Sequence, residues 1–148
     1  MISQKAKYAL RSLIALARRP TGEPVSISQI AEAEAIPKKF LEQILLELKR
    51  HGLLASIRGK AGGYVLFRPA DTISFGEVLR LMDGPIAPLS CLSRVAYSRC
   101  DDCRDEAGCE VRRVFALVAE ASRAVLDRTT IKDAIGAELP LRLRDLVA

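Results

Sequence analysis

The chain's four cysteines, Cys91, Cys100, Cys103 and Cys109, all fall within one stretch that is otherwise rich in Ser, Arg, Asp and Gly. Scattered cysteines read as small core residues, whereas thiols gathered in a polar loop can converge on one ion or cluster. The loop is therefore read as a sensing element, and the rest of the chain as the machinery that it controls.

At 148 residues there is room for one good hydrophobic core, or for a small domain and a long helix. The composition is 49% hydrophobic, yet no run approaches the roughly 18 uninterrupted apolar residues of a membrane span. Met1-Ile2-Ser3-Gln4-Lys5 leads into an amphipathic pattern containing Arg11 and Arg18, without the apolar stretch of a signal peptide. No membrane is expected as a partner, and the expected location is cytoplasmic. There thiols stay reduced, and a cysteine cluster points to metal or redox chemistry rather than to structural disulfides. Charge is unevenly spread: residues 1–69 carry 12 Lys and Arg against 5 Asp and Glu, net +7, and residues 70–148 carry 11 against 13, net −2. The first half is the candidate for meeting a polyanion.

Ala6, Leu10, Leu13, Ile14 and Ala17 recur at helical spacing between Ser3 and Arg19, and Pro20 stops the pattern. After the turn Thr21-Gly22-Glu23-Pro24, Ser26 and Gln29 fit a capping box opening a second helix that reaches Ala35. Ile36-Pro37 interrupts the pattern. Pro37, whose missing N–H costs nothing at a first helical position, then starts a third helix ending near His51 and Gly52. On it Phe40, Leu41, Ile44, Leu45 and Leu48 gather on one side, and Lys38, Lys39, Glu42, Gln43 and Leu46 on the other. Two short helices with a tight joint, the second exposing a polar and basic N-terminal face, match a helix-turn-helix that places its second helix in a DNA major groove. An ordinary helical hairpin with a solvated face is the competing reading.

Leu53–Arg58 and Tyr64–Phe67 read as strands around the turn Gly59-Lys60-Ala61-Gly62-Gly63, with Arg58 and Lys60 at the tip. A basic, glycine-rich hairpin directly after a helix-turn-helix is a wing, able to lie on phosphates or to reach into the minor groove. A nucleotide-cradling loop would need a different glycine spacing and a helix, rather than a strand, after it.

Ser74 and Glu77 fit a second capping box, opening a helix with Phe75, Val78, Leu79 and Met82 inward and Gly84 as its stop. Pro85 and Pro88 break the chain before the cysteines. Beyond them Val111, Val114, Val118, Ala121 and Val125 form the seam of a long helix that packs lengthwise on a partner, or folds back on its own domain. The partner reading is favoured, because a winged domain this small reads few base pairs, and a homodimer on a palindrome gains affinity and specificity. Thr130 to Asp133 caps one more short turn, and the apolar and basic tail after Gly136 has room for a short helix. The expected fold is mainly α with a small β-hairpin. Its segments are a winged helix-turn-helix domain over 1–84, a cysteine-rich sensor loop over 85–109, a dimerisation helix and short cap over 110–136, and a tail over 137–148.

On these residues the chain resembles the Rrf2 family of bacterial winged-helix transcriptional regulators. The resemblance is carried by Lys7-Tyr8-Ala9-Leu10, Ile30-Ala31, Phe40-Leu41-Glu42-Gln43-Ile44-Leu45, Gly52-Leu53-Leu54 and, most specifically, Ser56-Ile57-Arg58-Gly59-Lys60-Ala61-Gly62-Gly63-Tyr64. It extends through Ile73–Gly84 and the cysteine loop to Leu126-Asp127-Arg128-Thr129-Thr130-Ile131. It implies a dimer on a palindromic promoter site and, in many members, an iron–sulfur cluster held by three cysteines between the wing domain and the long helix. Cys91 matches the family's first cysteine, and Cys103 and Cys109 match the last two. Cys100 is extra. Where some relatives place a histidine three residues after the last cysteine, this chain has Arg112, so Cys100 is the candidate fourth ligand, with Asp101 or Asp102 as alternatives.

Four thiolates suit an iron–sulfur cluster, 2Fe–2S or 4Fe–4S, and also zinc. Zinc is the weaker fit, since only Cys100 and Cys103 form a Cys-x-x-Cys knuckle. Reversible thiol oxidation without metal is the third reading, and Arg94, Arg99 and Arg104 suit all three. For DNA, Lys38 and Lys39 are placed for guanine or phosphate, Gln43 for adenine, Glu42 for cytosine, Arg58 for a base or the minor groove and Lys60 for phosphate. Ser28 and Tyr64 complete the candidate DNA-contact set. The function expected is promoter binding by a transcriptional regulator under cluster or thiol-redox control. A metal- or redox-binding accessory protein acting through protein contacts is the alternative. An enzyme is not expected, for His51 is the sole histidine and no nucleophile has a base beside it.

Overall fold

Helix α1 (Gln4–Ala17) begins where Ser3 Oγ accepts from the Ala6 N–H at 3.0 Å, and it buries Ala6, Ala9, Leu10, Leu13 and Leu16 along one side. The other elements are laid against that side in this computed structural model, which describes residues 2–146. Residue 1 and residues 147–148, the outer ends of the first and last expected segments, lie outside the described residues. The fold among those residues is mainly helical, with one two-stranded antiparallel sheet.

Helix α2 (Ile27–Glu34) carries the expected capping box: Ser26 Oγ accepts from Gln29 N at 3.2 Å, and Gln29 Oε1 accepts from Ser26 N at 2.9 Å. It ends at Ala35, which takes the left-handed conformation (φ 50°), and the chain turns there so that Ile36 is buried. A non-glycine residue in that region costs about 1 kcal/mol, offset here by Ile36 entering the core and by its N–H bonding to Ala31 O at 3.0 Å. Helix α3 (Lys38–Arg50) follows, with Pro37 as its N-cap rather than its first helical residue. Pro37 has an extended ψ of 123°, so it closes the joint instead of joining the helix. Leu41, Ile44, Leu45 and Leu48 are fully buried, and Phe40 meets Tyr8 of α1 edge-on at 5.7 Å between ring centroids.

Strands β1 (Leu54–Ile57) and β2 (Gly63–Leu66) pair with Leu54 opposite Leu66 and Ile57 opposite Gly63. Tyr64 and Val25 exchange two backbone hydrogen bonds (2.8 and 3.0 Å), which fasten the hairpin to the residue just before the α2 N-cap. That pairing needs Gly63, since a β-carbon there would lie 2.4 Å from Val25 O.

Helix α4 (Phe75–Asp83) buries Val78, Leu79 and Met82. The capping box expected at its start is half formed. Ser74 Oγ accepts from Glu77 N at 3.1 Å, but the Glu77 carboxylate is taken by Arg68, at 2.6 and 3.2 Å, and does not reach back. Helix α5 (Glu110–Arg128) turns Ala119 and Leu126 toward α4 and leaves Val111, Val114, Leu117 and Val118 exposed. Helix α6 (Ile131–Ile135) has a complete capping box between Thr130 and Asp133 and returns Ile131 to the core beneath α1. In the tail, α7 (Leu141–Arg144) buries Leu143.

Candidate DNA interface and cysteine site

Lys38, Lys39, Glu42, Gln43 and Leu46 are all exposed on the outer face of α3, and Ser28 is exposed in the first turn of α2. The helix is held for this by its inner face and by Lys5 of α1, whose Nζ lies 2.7 Å from Glu47 Oε2. Arg11, also on α1, donates to Glu34 Oε2 at 3.0 Å and to the Glu34 carbonyl, placing a guanidinium at the C-terminus of α2, where positive charge is favoured. At the far end of α3, Lys49 Nζ donates to Ser56 Oγ at 2.6 Å and braces the helix against β1. Arg58 and Lys60 are exposed at the wing tip. Tyr64 is only partly exposed: its side chain packs against the core and its backbone carries the bridge to Val25. It holds the wing.

The cysteine loop has its own scaffold. Ser98 N donates to Ser90 O at 3.3 Å, Ser93 Oγ accepts from Ala96 N at 2.9 Å, and Cys103 N donates to Cys100 O at 3.1 Å. Asp105 accepts from the N–H groups of Ala107 and Gly108, both at 3.0 Å, and Tyr97 donates its hydroxyl hydrogen to Glu106. That bond is the main cause that raises the Tyr97 pKa. Arg123 of α5 reaches the Leu92 carbonyl at 2.5 Å and ties the loop to the middle of that helix. Neither Tyr97 nor Arg123 stood out in the sequence, because each acts across a loop whose path composition does not reveal.

Cys91 is buried, in a single 3-10 turn (Ser90–Leu92), and the other three cysteines are partly exposed. Cys109 is the N-cap of α5, its sulfur accepting from Arg112 N at 3.4 Å. Cys100, Cys103 and Cys109 line one cavity of about 360 Å³ together with Asp102, Arg104 and Asp105. Desolvation pushes the Cys100 pKa up, and the charges of Cys91 and Cys103 and a hydrogen bond with Cys91 add to the rise. A hydrogen bond to Cys103 and that residue's charge raise the pKa of Arg99, which also donates to the Cys103 and Arg104 carbonyls at 3.1 and 3.2 Å. Convergence of all four thiols on one ion is not what the loop displays. Among the described residues no three His, Cys, Asp or Glu side chains are close enough to hold a single metal ion. Locally, the Cys109 sulfur caps α5 and Arg99 holds the Cys103 carbonyl. In donor chemistry three thiols opening on one cavity, with a buried fourth in the same loop, suit a cysteine-ligated cluster.

A winged helix-turn-helix followed by a cysteine loop and a long helix is the arrangement of a known family, whose model, described as an iron-dependent transcriptional regulator, matches residues 2–137. The chain belongs to the Rrf2 family. An rrf2-like HTH-type regulator of Rhodobacter capsulatus is 48% identical to this Rrf2 protein over 143 residues, 95% of either chain. CymR of Bacillus subtilis is 35% identical over 132 residues, 89% of this chain and 87% of that one. The solved structure of B. subtilis CymR, the global cysteine regulator, matches with a TM-score of 0.76 at 33% identity, covering 91% of this chain and 95% of CymR. T. potens IscR matches with a TM-score of 0.72 at 28% identity, covering 91% and 85%. This Rrf2 protein is a DNA-binding transcriptional regulator and not an enzyme. None of its described helices is long and apolar enough to cross a membrane.

Proposed function

We propose that this Rrf2 protein binds a palindromic promoter site as a homodimer, and that its cysteine loop adjusts that binding through an iron–sulfur cluster or through thiol oxidation. The observation that carries the reading is the position of the loop. It ends at the N-cap of α5, and it is tied to the body of that helix by Arg123, while the open face of α5 offers Val111, Val114, Leu117 and Val118 to a second copy. A change in the loop therefore bears on the helix that sets how far apart two recognition helices stand.

Lys38, Lys39, Glu42 and Gln43 would enter the major groove, Ser28 would meet the backbone, and Arg58 and Lys60 would follow the adjacent minor groove and phosphates. Cys91, Cys103 and Cys109 would hold a cluster, with Cys100 as fourth ligand. Such a group supplies iron- and redox-dependent bonding that links these segments. Arg99 would offset thiolate charge beside it. The two states need differ by only about 1–3 kcal/mol in DNA affinity to act as a switch.

Anaerobic purification with visible absorption and iron, zinc and sulfide assays, followed by gel shift on the protein's own promoter with and without the bound group, tests both halves. Iron and sulfide with a cysteine-dependent absorption band are expected, along with a salt-sensitive, sequence-selective complex. A colourless, metal-free protein would leave thiol oxidation as the control. Absence of a selective DNA complex would favour an accessory protein acting through protein contacts.

A further inference from the structure

We propose that Leu46 is a further reader of DNA sequence on α3: its side chain packs on the 5-methyl group of a thymine in the major groove and so sets a preference for thymine at one position of each half-site. The proposal deepens the DNA-binding role described above and rests on the reading of α3 as the helix that enters the groove.

The placement comes from helical spacing. Leu41, Ile44 and Leu48 are fully buried on the inner side of α3, whereas Leu46 lies on the opposite side and is 44% exposed. Lys39, Glu42, Gln43 and Leu46 stand at i, i+3, i+4 and i+7, so they share one face. A homeodomain turns side chains at that same spacing toward base edges when its third helix lies in the major groove. Leu46 is one turn beyond Glu42 and Gln43, a rise of about 5.4 Å against base steps of about 3.4 Å. It therefore meets a different base pair from theirs.

A single exposed leucine is ordinary on a protein surface. The setting of this one is not. Among the described residues, Glu47 of α3 is paired with Lys5 and Lys49 donates to Ser56, while Lys38, Lys39 and Glu42 enter no ion pair. Leu46 thus sits among unengaged charges, in the half of the chain that carries net +7 and whose wing exposes Arg58 and Lys60. That charge suits a polyanion rather than the apolar surface of another protein. Chemistry then selects the base. Thymine alone presents a methyl group in the major groove. A leucine beside cytosine or adenine would strip water from an amino group without replacing its hydrogen bond. One methyl buried against leucine is worth about three- to fivefold in affinity per half-site.

The test uses the full chain and an operator selected from a pool of random duplexes. Each thymine of that operator is replaced in turn by deoxyuridine, which keeps every hydrogen-bonding group and removes only the methyl. At one thymine per half-site the wild type should lose affinity about three- to fivefold. Leu46→Ala should bind the unmodified operator more weakly by a similar factor and should not respond to uracil at that position, so the two losses are not additive. Its urea midpoint should stay near that of the wild type, because the site is half exposed and alanine is a good helix former. Lys60→Ala should weaken binding and keep the uracil response. A selective complex in which no uracil weakens the wild type, or in which Leu46→Ala keeps the full uracil response, would overturn the role of Leu46 while leaving α3 in the groove. No selective complex at all, or a selective complex that Lys39→Ala and Gln43→Ala leave unchanged, would overturn the placement of α3 and Leu46 with it.

Discussion

Asp127, in the last turn of α5, stands so close to Gly76 in the first turn of α4 that a β-carbon on Gly76 would lie 2.0 Å from its Oδ1. The same carboxylate receives Arg80 Nη2 at 2.6 and 2.9 Å. Two backbone hydrogen bonds complete the junction, Phe75 N to Thr129 O at 2.8 Å and Ile131 N to Ile73 O at 2.9 Å. The C-terminal end of α5 is thereby joined to the start of α4, which packs on α1, and α1 in turn carries α3 through Tyr8, Phe40 and the Lys5–Glu47 pair. Packing thus runs without a break from the C-terminal end of α5 to α3.

The junction makes a prediction about Gly76. Gly76→Ala should destabilise the protein by about 1–3 kcal/mol, the usual cost of overpacking. In an Asp127→Ala background the same change should be close to neutral or favourable, since alanine is a better helix former than glycine by about 1 kcal/mol. Asp127→Ala alone should cost less than about 1 kcal/mol, because the Arg80 pair is partly exposed. Denaturant midpoints of the four proteins check this, and equal costs for Gly76→Ala in both backgrounds would remove Asp127 as the reason for the glycine.

At the DNA face, Glu42→Ala should change which operator sequences bind, as Glu42 is exposed on α3 where a base edge would pass. Lys60→Ala should weaken all sequences alike and reduce the log–log salt slope by about 1, the signature of a lost phosphate contact. Binding measured on an operator and its variants at several salt concentrations separates the two. Uniform losses for both would take Glu42 off the list of readers.

The helix-turn-helix, the wing and the α2 capping box were legible because they rest on local rules: apolar periodicity, a Ser–Gln pair at the right spacing, and glycines between short strands. What stayed hidden depends on contacts between distant residues. Glu77 has the spacing of a capping partner but pairs with Arg68, because a better cation waits nine residues upstream. Ala35 gives no sign that it will take a left-handed turn, since alanine reads as a helix former, and only the pull of Ile36 into the core explains it. Four clustered cysteines identified the loop but not its path, which follows from the hydrogen bonds of Ser98, Arg99 and Arg112.

Asp133 gives the α6 cap a pH dependence. Burial pushes its pKa up, but hydrogen bonds from the Thr130 backbone, Arg142 and the Thr130 hydroxyl outweigh it and hold the carboxylate below the usual 3.8. A carboxylate depressed in the folded state adds stability that is complete above its unfolded pKa and fades as pH falls through the folded one. Asp133→Asn should therefore cost about 1 kcal/mol at neutral pH, as for a lost cap, and make the loss of stability below pH 3.8 less steep. Urea melts from neutral to acid pH read this directly. A constant difference between the two proteins across that range would mean that the carboxylate charge does not contribute.

The open face of α5 decides the last prediction. Val114 is 62% and Leu117 69% exposed, while Ala119 and Leu126 on the inner face pack toward α4. A charge at Val114 should thus spare the protomer's own core and strike only what covers the outer face. On the proposed homodimer, Val114→Glu should shift sedimentation from dimer to monomer at equal protein concentration, with a helical circular dichroism spectrum retained. Affinity for a single half-site should be unchanged, because α3 and the wing are untouched. Affinity for the full palindrome should fall by about 100-fold or more, as the second half-site loses the effective concentration that linkage provides. A Val114→Glu protein that remains dimeric and binds the palindrome like the wild type would place the partner's contact elsewhere than on this face.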